Sequence, residues 1–372
     1  MPLLSGDAIQ PGMARPGHYL PLLYGKKIGV VANATSAWQG EHLVDFLLRK
    51  GLDVQVVFAP EHGFRGEASA GVAVANSRDE KTGLPIISLY GATKKPRPED
   101  LAELDYLIFD IQDVGVRFYT YISTLTYVME ACAENDLPLI VLDRPNPHGY
   151  YVDGPVLQPG YESFVGLHPV PIVHGMTIGE YAQMVNGEGW LTQGARCPLT
   201  VVPCAGYTHR HEYRLPLPPS PNLPNDQAVT LYPSLALFEG TIVSVGRGTD
   251  IPFQVAGAPW FTDYNATFTP EDRNGALNPP YEGQLCRGFD LRNYADMYIK
   301  GLGKLYLFWL QDSYAMAPDK KAFFTNYFDK LAGNSSLRQQ IIDGVSVDDI
   351  RASWEEDLAA FRQMRQPYLL YD

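Results

Sequence analysis

The sequence of 372 residues lacks any apolar run approaching the ~20 residues of a membrane-spanning helix, so it is not expected to cross a bilayer. It has only four cysteines, Cys132, Cys197, Cys204 and Cys286, none in CxxC spacing, which argues against a zinc ribbon. Cys197 and Cys204 flank a strand-like run and could pair, although buried free thiols are the simpler reading. Positive charge is scarce: 29 Lys and Arg stand against 42 Asp and Glu, a formal net charge of −13, and no basic run occurs. Nucleic acid and anionic membrane surfaces are therefore not expected as partners.

Several signatures are missing as well. No GxGxxG follows the first strand-like segment, so a dinucleotide site has no support. GLGK (301–304) lacks the spacing and the Ser or Thr of a P-loop. There is no HExxH and no GxSxG elbow, and His209 and His211 have no matching ligand set around them. The first residues lack the basic start and apolar stretch of a secretory signal, leaving a cytoplasmic protein or a cell-envelope protein whose export signal was removed.

What remains is the composition of a folded protein, 45% hydrophobic and 19% charged. Its length exceeds one ordinary core and predicts two domains, taken as residues 1–225 and 226–372. Tyrosine is plentiful at 23 residues; its ring can fill core edges or stack on a sugar while its hydroxyl donates. Apolar strand-like runs at 26–33, 54–60, 85–91, 105–111, 138–145, 170–175 and 199–204 alternate with helical patterns at 41–50, 120–135 and 177–185. That alternation predicts an α/β fold: a Rossmann-like parallel sheet in the N-terminal domain, covered on both faces. Beyond the proline-rich stretch LPLPPSPNLP (215–224), read as a linker or cleft wall, the texture turns Gly- and Pro-rich. The chain closes with an amphipathic helix opened by Ser346 and lined by Ile350, Trp354, Leu358 and Phe361.

Ligands of parallel sheets sit beyond the carboxyl ends of the strands, so polar residues just after strands are the candidates. PEHGFRGE (60–67) gathers Glu61, His62, Arg65 and Glu67 around glycines; Glu61 suits a general acid, or the motif is a surface loop. FDIQDVGVRFYTYIST (109–124) offers Asp110, Asp113, Arg117, Tyr119 and Tyr121. There Arg117 either grips a substrate carboxylate or neutralises Asp110. LDRPNPHG (142–149) presents Asp143 and Asn146, whose amide suits a sugar hydroxyl or acetamido group. VHGMTIGE (173–180) presents His174, while Thr177 and Glu180 fit a capping box. Glu239, Arg247 and Thr249 lie among glycines in 238–260, and Asn33 ends the first strand.

Taken in order, PEHGFRGE, DIQDVGVRFYTY, LDRPNP, FEGT with SVGRGTD, and IRASWEEDLAAFRQMRQPYLLY resemble the NamZ-like exo-β-N-acetylmuramidases, from about residue 20 to the end. The resemblance implies a Rossmann-like domain, a smaller mixed α+β C-terminal domain and an active cleft between them. It implies release of terminal β-linked N-acetylmuramic acid from peptidoglycan fragments, with no metal or organic cofactor. Glu61 matches the family's EHG glutamate, the candidate acid/base. Tyr119 and Tyr121 fall on its tyrosine-rich segment, one for catalysis or for positioning the sugar. Asp110 or Asp113 is a candidate second catalytic group, beside a tyrosine or the substrate's own acetamido group. Arg117 or Arg247 would hold the lactyl carboxylate, and Asn33, His62, Arg65, Asp143, Asn146, His174 and Glu239 complete the expected substrate contacts. The family's VTNQTG run reads VANATS (31–36) here, keeping Asn33 and Thr35 but losing Gln and Gly, which bears on sugar preference. An exo-β-N-acetylglucosaminidase on the same scaffold, or a non-catalytic muropeptide-binding protein, is the alternative.

Overall fold

The computed structural model describes residues 4–5, 9–61, 63–65, 77–91, 93–273 and 275–372; His62 and Glu67 lie outside them. The apolar runs become strands β1 (Lys27–Ala32), β2 (Asp53–Ala59), β4 (Pro85–Ser88), β5 (Tyr106–Asp110), β6 (Leu139–Leu142) and β9 (Leu199–Val202). A two-residue strand β3 (Ser77–Arg78) pairs antiparallel with β4 at the edge. The sheet runs β9-β6-β5-β1-β2-β4-β3, and all the other pairings are parallel. The mostly parallel α/β sheet expected from the sequence is therefore present.

Neighbouring residues of a strand face opposite sides, and here both sides are apolar. Val31, Phe58, Phe109 and Val141 enter one core, with Ile122, Leu125 and Met129 of helix α2 (Tyr121–Glu134) and Tyr181 of α3 (Ile178–Gly187). Val30, Val57, Ile108 and Ile140 enter the other, covered by Leu43, Val44 and Leu47 of α1 (Leu43–Arg49). Helix α3 opens with the capping box: the Thr177 hydroxyl accepts from the Glu180 N–H and the Glu180 carboxylate from the Thr177 N–H.

Two expectations are corrected. The 170–175 run does form a strand, β8 (Pro171–Val173), but it pairs antiparallel with β7 (Asp153–Val156) outside the main sheet. The closing helix is two, α6 (Val347–Ala352), capped by Ser346, and α7 (Glu355–Arg365), although Ile350, Trp354, Leu358 and Phe361 are all buried. Between the proline-rich stretch and these helices lie α4 (Asp226–Leu235) and an antiparallel sheet, β10 (Val255–Ala258), β11 (Ala266–Phe268) and β12 (Cys286–Asp290), with β12 central. α5 (Phe328–Ala332) follows. All four cysteines are free and buried, so Cys197 and Cys204 are not paired. No helix among the described residues is long and apolar enough to cross a membrane.

The sheet order fixes where a ligand fits. The chain builds outward from β1 through β2 to β4, then returns to the other side of β1 as β5. Such a reversal opens a crevice at the carboxyl ends of the two strands involved.

Candidate active site

At that crevice lies a cavity of roughly 330 Å3. Glu61, Tyr90, Tyr119, Thr120 and Tyr121 come to it from the loops after β2, β4 and β5. Ser220, Asn222 and Leu223 of the proline-rich stretch form one wall; Tyr232, Glu239, Arg247, Phe253, Tyr327 and Lys330 close it from the C-terminal half. Its volume lies at the lower end for small-molecule sites, room for about one sugar residue.

Glu61 is the carboxylate on the sheet side. The Thr120 hydroxyl donates to its Oε2 at 3.3 Å, and the Tyr90 hydroxyl bonds to it as well. Thr120 is in place because it is the N-cap residue of α2, which starts with Tyr121. The phenols around Glu61 are held in the protonated form. Burial first, and then the Glu61 charge, raise the pKa of Tyr90 and Tyr121. For Tyr327, burial followed by Glu239 and Glu61 lifts it to about 12. At neutral pH these tyrosines are hydrogen-bond donors, not phenolates. Tyr119 donates to the Pro219 carbonyl at 2.8 Å, tying the proline-rich wall to the sheet. Its ring meets those of Tyr121 and Tyr232 edge-on, with centroids at 4.9 and 5.8 Å.

Opposite lies an ion pair: Arg247 Nη2 is 2.7 Å from Glu239 Oε1, and the guanidinium sits over the Phe253 ring at 5.1 Å. Burial, the largest single influence, opposes the Arg247 charge, but Glu239, Tyr232 and Glu61 together outweigh it, and the net shift of the Arg247 pKa is upward. Lys330 is exposed at the rim and makes no ion pair among the described residues.

The cavity thus gathers Glu61, Tyr119, Tyr121, Glu239 and Arg247 of the residues proposed from sequence. Asn33 supports it from behind: buried, it reaches the Tyr121 hydroxyl with its side chain, and its Oδ1 accepts from the Thr35 N–H at 2.9 Å. The others are elsewhere, for identifiable reasons. Asp110 is fully buried in an ion pair with Arg144, at 2.5 and 2.9 Å, so both its oxygens are committed away from any substrate. Asp113 is buried too; its Oδ2 accepts from the Gly115 N–H at 2.6 Å, and burial raises its pKa to about 7. Arg117 neither grips a ligand nor neutralises Asp110: it is fully buried and donates to the carbonyls of Pro155, Val170, Leu331 and Ala332. Asp143 accepts from Thr177, Gly179 and Tyr371 beneath the sheet end. Asn146 donates to the Met176 carbonyl and accepts from the His148 N–H. His174 is buried, and burial drives its pKa down to about 3, so it stays neutral. Arg65 bonds Asp79 at 2.7 Å and Asp45 at 3.3 Å and lines a neighbouring cavity. Among the described residues, no group of three or more His, Cys, Asp or Glu side chains is placed to hold a metal ion.

Family profiles described as exo-β-N-acetylmuramidase NamZ, N-terminal and C-terminal, match residues 28–227 and 230–371 respectively. The chain belongs to the NamZ family. A curated NamZ relative, the peptidoglycan β-N-acetylmuramidase of Bacillus subtilis (strain 168), is 42% identical over 375 residues, covering 95% of this chain and 89% of that protein. Two solved structures of DUF1343 family proteins from Bacteroides fragilis NCTC 9343 superpose along the whole fold. One has a TM-score of 0.91 at 47% identity, the other 0.81 at 30%; each covers 98% of this chain and 99% of its own.

Among the cavity residues of this NamZ chain not proposed from sequence are Tyr90, Thr120, Tyr327 and Lys330. Tyr90 lies two residues after β4, as Glu61 lies two after β2, and obeys the same strand-end rule. Thr120 could have been found as the residue before a helix. Tyr327 and Lys330 carry no local signal; they reach the cavity only through the packing of α5.

Proposed function

We propose that the chain is an exo-acting glycoside hydrolase that releases terminal β-linked N-acetylmuramic acid from peptidoglycan fragments. The observation that carries this reading is Glu61 in the wall of a one-sugar cavity, beside neutral phenols and the Glu239–Arg247 pair. Membership of the NamZ family and the name of the B. subtilis relative support the substrate.

Glycoside hydrolysis needs a proton for the leaving oxygen and stabilisation of the oxocarbenium-like centre. Glu61 supplies the proton. Thr120 and Tyr90 hold its carboxyl in place at the end of β2. Glu239, the cavity's other carboxylate, takes the stabilising role first considered for Asp110 and Asp113, which are sealed in the core. Arg247 and Lys330 provide positive charge for the lactyl carboxylate that distinguishes muramic acid from glucosamine. Tyr119 and Tyr121 shape the sugar's seat.

The test is release of product from a chromogenic β-N-acetylmuramide by wild type and by Glu61→Gln, with the β-N-acetylglucosaminide alongside. Turnover of the muramide that falls at least about 100-fold in the variant supports both activity and acid. Equal turnover by the variant removes Glu61 from the role. Turnover of the glucosaminide alone reassigns the enzyme as a glucosaminidase, and binding of muropeptide with no turnover of either substrate makes it a binding protein.

A further inference from the structure

A second cavity, of roughly 640 Å3, opens beside the first. Its walls are Ala34 and the 37–40 turn, with the half-buried indole of Trp38; Arg65 and Lys81; and the exposed Pro216 and Leu217. The Trp38 backbone is fixed by a two-residue antiparallel pairing, Ala37 against His42 and Trp38 against Glu41. Asp45 bonds both cations, Arg65 at 3.3 Å and Lys81 at 2.7 Å, and Asp79 also holds Arg65, at 2.7 Å.

Three stretches of chain pass from one cavity to the other. Asn33, which buttresses Tyr121 in the first, precedes Ala34 in the second. Glu61 lines the first and Arg65 the second. Leu217 lines the second and Ser220 the first. A chain covers at most ~3.6 Å per residue, so Leu217 and Ser220 lie within about 11 Å of each other. The first cavity has room for about one sugar, so the rest of a glycan cut by Glu61 must lie outside it. An aromatic face with a few fixed polar groups is what a pyranose ring needs.

On the functional reading above, we propose that the Trp38 cavity is the leaving-group subsite. It receives the N-acetylated hexosamine on the far side of the scissile bond, packed on the Trp38 indole and Leu217, with Arg65 and Lys81 facing its polar substituents. Binding energy gained there is used at the reacting bond, so it favours glycan over simple glycosides. A third, open cavity of roughly 840 Å3 around Tyr150 is linked to the first from Leu223 to Asn225 and, along α4, from Tyr232 to Gln227.

Two substrates separate the subsite from the catalytic cavity: methyl β-N-acetylmuramide, whose leaving group is too small to reach Trp38, and a glycan of three or more sugars ending in N-acetylmuramic acid. For Trp38→Ala, kcat/KM on the glycan is expected to fall about tenfold or more while that on the methyl glycoside stays within about twofold. Leu217→Ser should give the same split, more weakly; Trp38→Phe should recover most of the loss, and Tyr150→Ala should resemble wild type. Equal losses on both substrates, no loss on either, or the split appearing in Tyr150→Ala instead would overturn the assignment. If wild type turns over neither substrate, the functional reading fails separately. Calorimetry with a glycan ending in N-acetylglucosamine then decides the subsite: binding weakened by Trp38→Ala upholds it, and binding that is absent or unchanged rejects it.

Discussion

Arg117 donates through its Nη2 to the carbonyl oxygen of Leu331, 2.8 Å away and 214 residues further along the chain. The same nitrogen reaches Ala332 at 2.7 Å, and Nη1 takes the carbonyls of Pro155 and Val170. Every named partner is a main-chain carbonyl, and burial lowers the guanidinium's pKa below its usual range. Leu331 and Ala332 end α5, where a cation also meets the negative end of the helix dipole. Gly333 follows with φ of +82°, and a Cβ there would come within 2.6 Å of Arg117 Nη2. Arg117 therefore locks in place the short helix whose first turn carries Tyr327 and Lys330 into the cavity.

Replacing Arg117 by Met should leave four buried carbonyls without this donor. Hydrogen bonds from charged groups contribute about 1.5–3 kcal/mol each, so a loss on the order of 3 kcal/mol or more is expected in urea unfolding. Arg117→Lys should recover only part, because an ammonium lacks the planar fork. kcat/KM on the muramide should fall in both, following Tyr327 and Lys330 out of position. Wild-type stability in Arg117→Met would deny the strap.

Asp113 gives a pH dependence of known sign. Its carboxyl is raised from 3.8 to about 7 in the folded protein, mainly by burial. The folded state therefore holds a proton that the unfolded state releases near pH 4, and the associated stability is present below that pH and lost as pH rises through 7. Asp113→Asn keeps an acceptor for the Gly115 N–H and cannot ionise. Its Tm minus that of wild type should grow between pH 5 and pH 8, towards a free-energy difference on the order of 4 kcal/mol. Measuring that difference cancels the opposite contributions of His148 and His174, whose pKa values burial lowers to about 4 and about 3. A difference flat across the range would mean Asp113 is ionised throughout.

The sheet was legible because strands buried on both faces read as unbroken apolar runs, as Val30–Val31 and Ile108–Phe109 do. Periodicity names a strand but not its partner, which is why β8 was assigned to the wrong sheet. The site was legible at Glu61 because the polar residue after β2 faces the crevice. The same rule failed at Asp110 and Asp143. A strand-end carboxylate can equally turn inward if the fold supplies partners. Those partners, Arg144 and Tyr371, stand 34 and 228 residues away, beyond the reach of local pattern. Arg117 misled for a related reason: a guanidinium satisfied by carbonyls looks, in sequence, like one awaiting a carboxylate.

Under the proposed function, Lys330 and Arg247 are the two cations among the described residues lining the cavity that could meet the lactyl carboxylate. Arg247 is already paired with Glu239, whereas Lys330 has no ion pair among the described residues. Lys330→Met should therefore raise KM on the β-muramide about tenfold, equivalent to about 1.4 kcal/mol, with kcat little changed. Hydrolysis of the β-glucosaminide, which has no lactyl group, should not respond. Equal effects on both substrates would show that Lys330 does not read the lactyl carboxylate.

Thr120 offers the sharpest test of how Glu61 is held. Its hydroxyl donates to Glu61 Oε2 at 3.3 Å, a long contact of the kind that tightens when a substrate closes over a carboxyl. Thr120 is also the N-cap residue of α2, yet its side chain makes no capping bond, so the hydroxyl can be removed without freeing a helix N–H. Thr120→Val preserves the shape and the β-branch. Stability should consequently change by less than about 1 kcal/mol, while kcat on the muramide drops roughly fivefold to tenfold because Glu61 samples more rotamers. Thr120→Ser, which restores the hydroxyl, should return most of the activity. If Val and Ser behave alike, the loss comes from packing, and the orientation of Glu61 rests on Tyr90 instead.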